Sequence, residues 1–123
     1  MITPQSPIQR LGELSREYER RANAYADVAR DAAGNEARYR MLKAQTMLAA
    51  TQDGASAAKA EIIADANPQV AQACWDYKVS AAVADSARAK LSQLREAVAT
   101  GRSVLVNERE SDRVHAQGMG GAA

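Results

Sequence analysis

Between residues 67 and 110 the apolar and small side chains fall at Val70, Ala73, Tyr77, Ser80, Ala84, Ala87, Leu91, Leu94, Val98, Gly101 and Leu105. The steps alternate three and four, which is the seam of a helix packed lengthwise against another helix. A second stripe of the same period runs through Leu11, Leu14, Tyr18, Arg21, Tyr25, Val28, Ala32, Asn35, Tyr39, Leu42, Thr46 and Ala49. Its irregular places are Arg21 and the pair Gly34 and Asn35, where glycine costs about 1 kcal/mol against alanine. The phase is unchanged across that pair, so the pattern predicts one helix.

Local signals set the boundaries. Residues 1–6 read as a flexible leader, with Ser6 as cap and Pro7 in the first turn of a helix over 7–52. Asp53 and Gly54 stop that helix, since glycine is the usual residue just past a helix end. A short connector helix is predicted over 55–66. Asn67 and Pro68 form the sharpest boundary in the chain, because the residue before proline avoids helical angles while proline itself suits the first turn of the next helix. The third helix is predicted over 68–112. Residues 7–115 make one domain, and the glycine-rich stretch 116–123 reads as a disordered tail.

Two helices of about 45 residues, each roughly 65 Å long, joined by a compact connector predict an all-α, coiled-coil-like antiparallel hairpin. Matching large seam residues to small ones sets Leu14 beside Leu105, Tyr18 beside Gly101, Tyr39 beside Ser80, Leu42 beside Tyr77 and Ala49 beside Val70. A lone alanine-rich hairpin buries little apolar area, so two of them are expected to pair into a four-helix bundle.

Composition agrees with helix over sheet: phenylalanine is absent and alanine abundant. Sixteen basic and fifteen acidic side chains leave a net charge of +1, so no global field draws the chain to nucleic acid or to an anionic membrane. Cys74 is the single cysteine, which excludes an internal disulfide and suits a reducing compartment. With no apolar leader and no apolar run of about twenty residues, the expectation is a soluble, cytoplasmic protein that does not enter membranes.

Several large apolar residues lie off both seams. Trp75, Val79 and Val83 on the third helix, Met41, Met47 and Leu48 on the first, and Ile62 and Ile63 on the connector all belong to the connector end. One expectation is that the connector folds back and covers them as a small core. The other is an interface, since contiguous apolar patches mark association sites and tryptophan is enriched at hot spots.

Chemistry-bearing patterns are sparse. Asp27 and Asp31 share a face, but a dinuclear metal bundle wants Glu-x-x-His pairs and the one histidine is His115. Cys74 has no neighbouring histidine to activate it, and no phosphate-cradling glycine loop occurs. No catalytic, cofactor-binding or metal-binding residue is therefore assigned. The basic residues Arg38, Arg40, Lys43, Arg88, Lys90, Arg95 and Arg102 are candidate phosphate contacts, although no aromatic is interleaved as a stacking platform.

The stretches LGELSREYER, ARYRMLKAQ, ARAKLSQLREAV and GRSVLVNERE resemble those of small helical-hairpin accessory proteins of tailed bacteriophages, especially phages of actinobacteria. The resemblance implies an accessory protein in the host cytoplasm. Taken with the surface, it gives a non-enzymatic, self-associating protein-interaction module acting on a host or phage protein. The runner-up is a DNA-binding accessory of phage recombination or replication, and a third reading is an anti-defence protein that sequesters a small nucleotide.

Overall fold

A computed structural model describes residues 6–120 of the chain. Three helices follow one another: α1 (Pro7–Gln52), α2 (Ala57–Ala66) and α3 (Pro68–Gly120). Residues 1–5 of the expected leader and 121–123 of the expected tail lie outside the described residues.

Each helix end is fixed by a local device. At α1 the Gln9 N–H donates to the Ser6 hydroxyl at 3.2 Å and the Ser6 N–H donates to the Gln9 side chain at 3.3 Å, a reciprocal capping box. At its other end Gly54 takes φ 96°, and the Gly54 and Ala55 N–H groups donate back to the carbonyls of Thr51 and Ala50. That is a Schellman closure. Ser56 caps α2 by accepting from the Lys59 N–H at 3.2 Å.

Asn67 serves two helices. Its N–H donates to the Ala64 carbonyl and ends α2. Its side-chain oxygen accepts from the Gln69 and Val70 N–H groups at 2.9 and 3.2 Å and starts α3. Pro68 follows at the position where a missing N–H costs nothing.

α3 runs beyond the expected end at 112, through Gly120. Fading apolar period marks where a helix loses its partner face, not where it must stop. Arg113 and Glu110, three apart and 2.8 Å from each other, support such a solvated turn.

The chain divides into two compact units, Met1–Ala22 with Ala89–Ala123 and, separately, Asn23–Arg88. In the unit Asn23–Arg88 the buried residues are Ala50, Ala60, Ala64, Val70, Ala73 and Ala84. There the Asn35 amide donates to the Ser80 hydroxyl at 3.2 Å, and Tyr39 stacks on Tyr77 with ring centroids 6.0 Å apart. Arg88 Nε donates to the Tyr25 hydroxyl at 3.2 Å. The partners descend along α3 as they ascend along α1. In the other unit Val98 is buried, Arg95 reaches the Tyr18 hydroxyl, and Gly101 faces Leu11.

These contacts overturn the expected register. Gly101 meets Leu11 rather than Tyr18, Ser80 takes Asn35 rather than Tyr39, and Tyr77 takes Tyr39 rather than Leu42. Polar pairing wins over size matching. Half-buried Asn35 needs an acceptor, and Ser80 supplies one while its own hydroxyl donates to the carbonyls of Asp76 and Tyr77. A polar residue in a seam is a known determinant of register. Tyr18 and Tyr25 are half-buried, and their hydroxyls accept from Arg95 and Arg88, as suits a side chain with an apolar body and a polar tip.

Of the two expectations for α2, the covered small core does not form. α2 buries Ala60 and Ala64 completely and leaves Ile62 at 69% exposure and Ile63 at 39%. Small residues four apart let a helix approach its neighbours closely, and that face was taken in place of the one carrying the isoleucines.

Two glycines of this fold should respond oppositely to alanine. A Cβ at Gly34, inside α1, meets nothing within 4 Å, so Gly34→Ala should stabilise the protein by about 0.5–1 kcal/mol. Gly54 has a positive φ, so Gly54→Ala should destabilise it by about 1 kcal/mol or more. Urea unfolding of both variants checks this, and shifts of the same sign would contradict it.

Candidate interaction surface

On α3, Trp75, Val79, Ala82 and Ser86 follow one another at steps of four, three and four, so they lie along one line of the helix. That line begins two places after the buried Ala73 and runs opposite the seam formed by Ala73, Tyr77, Ser80 and Ala84. Trp75 is 66% exposed, Val79 44% and the adjacent Val83 50%; Ala82 and Ser86 are exposed as well. An indole with two valines in water is unusual where the same unit buries no side chain larger than valine.

The other expected interface residues sort by helix. Met41 and Leu48 are exposed, seven apart on one face of α1; Met47 is half-buried. Ile62 projects from α2, and Ile63 borders a hollow with Thr46, Ala50 and Lys59. All eight lie in the unit Asn23–Arg88, and the connector does not cover them as a core. The sequence pattern did not single out Ile8, Val104, Val106 and Val114, which are exposed in the other unit. Val104 borders an apolar hollow there with Pro7, Leu11, Leu14 and Ala97; its signal was its position one place before the seam residue Leu105.

The basic candidates are divided between the units. Arg38, Arg40, Lys43 and Arg88 belong to one, and Lys90, Arg95 and Arg102 to the other. Several have their charge engaged. Arg40 pairs with Glu36 at 2.6 Å. Lys43 on α1 reaches two carboxylates of α2, Asp65 at 3.2 Å and Glu61 at 3.5 Å. The hydrogen bond to Asp65 raises the Lys43 pKa above its ordinary value, and burial opposes it. Arg88 and Arg95 each hold a tyrosine hydroxyl, which raises both guanidinium values. Arg95 and Arg102 line one shallow hollow beside Glu19, so an anion there would meet a carboxylate too. Arg38 and Lys90 are exposed.

Elsewhere on α1, Glu17 accepts from Arg20 and Arg21, and those two hydrogen bonds hold its carboxyl below the usual range. Cys74 is half-buried and His115 exposed. Among the described residues no cluster of three or more histidine, cysteine or carboxylate side chains could hold a metal. Among them, too, no helix is long and apolar enough to cross a membrane.

Because the Lys43 pKa is raised by folding, the stability it contributes is complete below its unfolded value of 10.5 and is lost as pH rises through the higher folded value. Lys43→Gln should therefore be less stable than the parent at neutral pH, and the gap should close in strongly alkaline buffer. Denaturation midpoints of the two proteins across that range measure it; a gap independent of pH would show that the ion pairs to α2 do not stabilise the fold.

No family model matches the chain, and neither a curated protein nor a solved structure matches it, so its function is read from its own surfaces.

Proposed function

We propose that this chain is a non-enzymatic helical hairpin that associates with itself and serves as a protein-interaction module, an accessory protein of a tailed bacteriophage working on a host or phage protein in the host cytoplasm. The observation that carries this reading is the exposed line of Trp75, Val79 and Val83 on the side of α3 away from its seam. Exposed apolar residues at helical spacing are what a docking helix presents, and tryptophan concentrates binding energy.

The seam leucines support the same reading: Leu11, Leu14, Leu42, Leu91, Leu94 and Leu105 are all only half-buried. Binding of DNA phosphates is the weaker reading, because Arg40 and Lys43 already sit against carboxylates.

Light scattering at tens of micromolar should give at least the dimer mass, and Trp75→Ala should weaken association by about 2 kcal/mol or more. A monomer mass would contradict self-association. A monomer that binds DNA with an affinity falling linearly in log salt would replace this reading with the nucleic-acid one.

A further inference from the structure

We propose that the outer line of α3 is the self-association surface, and that two chains pair there through antiparallel α3 helices related by a two-fold axis. This rests on the self-association proposed above and specifies its face, orientation and register. The line runs from large to small: Trp75, Val79, Ala82, Ser86. Its steps make these the d, a, d and a places of a second seam on α3.

In an antiparallel pair each d place faces an a place of the other helix. Trp75 then meets the partner's Ser86, and Val79 meets the partner's Ala82, with the same two layers repeated by the two-fold. Every layer combines a large side chain with a small one, which is how helix interfaces reach interior density. A parallel pair in register would instead stack Trp75 on Trp75 and leave Ser86 on Ser86, overfilling one end and emptying the other.

Charge selects the same arrangement. Lys78 and Asp85 each precede an a place of this second seam, so both occupy g, and both are exposed. Lys78 closes no ion pair among the described residues, and Asp85 has Arg88 as a charged neighbour at longer range. Flanking g places face one another across an antiparallel seam, which brings Lys78 against the partner's Asp85. The two-fold repeats the contact, so the surface is complementary to itself, as an isologous interface requires. Exposed pairs of this kind contribute little energy and act mainly on orientation and register.

Charge reversal tests the pairing. Lys78→Glu sets glutamate against the partner's Asp85 at two contacts, and Asp85→Lys sets lysine against the partner's Lys78 at two. Each variant of the full chain should dimerise about tenfold more weakly than the parent. When the two are mixed, both contacts become complementary again, and native mass spectrometry should find the heterodimer in excess over either homodimer. Ser86→Trp leaves the charges alone and fills the space for the partner's Trp75, so it should weaken the dimer with helicity retained. A parent protein that is monomeric overturns this inference together with the self-association beneath it. A parent dimer indifferent to both reversals and to Ser86→Trp, or a mixture with no heterodimer excess, overturns this face and register alone and leaves self-association standing.

Discussion

Small residues at the buried positions constrain everything else in this protein. Ala50, Ala60, Ala64, Ala73 and Ala84 let helices approach closely, and Val70 and Val98 are the largest side chains taken inside. A buried methyl contributes about 0.8 kcal/mol, whereas a fully buried leucine, isoleucine or methionine contributes about 1.5–3. The interior thus favours close packing but supplies a modest driving force. Ordering the backbone of each residue costs about 1–2 kcal/mol. Large apolar groups such as Trp75, Ile62 and Leu48 are left on the outside, where they are available to a second surface.

Polar contacts supply the specificity that alanine and valine cannot. A core of near-identical methyl groups has no strong preference among registers, because sliding one helix along another exchanges like for like. Asn35 with Ser80, Arg88 with Tyr25, and Lys43 with Glu61 and Asp65 break that degeneracy in the unit Asn23–Arg88. In the other unit Arg95 with Tyr18 does the same. The Asn35–Ser80 bond lies within the seam and is partly buried, whereas the arginine and lysine contacts lie at its margins, where water screens them and their effect is on which alignment forms more than on how stable it is.

Helix identity and most boundaries were legible in the sequence because the devices that set them are local. Ser6 with Gln9, Gly54, and Asn67 with Pro68 act within one turn of chain. What was not legible depends on long-range choice. Size matching put Tyr18 on Gly101, but it ignored the need of Asn35 for an acceptor and the reach of tyrosine hydroxyls to arginine. Spacing left open whether Ile62 and Ile63 would be covered as a small core or stay exposed as an interface, and the tighter fit of Ala60 and Ala64 left them outside. Of the surface, the off-seam position of Trp75, Val79 and Val83 could be read from spacing, while their exposure depended on where α2 packed.

The central claim is that the line from Trp75 to Ser86 is covered by a second copy of the chain. Trp75 is the single tryptophan, so its fluorescence reports on that line without any label. Emission recorded on a dilution series, alongside the mass at each concentration, tests the claim most directly. The account predicts emission at shorter wavelength in the dimer, moving to longer wavelength on dilution with the same midpoint as the loss of dimer mass. Emission that stays that of a solvated indole while the mass changes from dimer to monomer would contradict it.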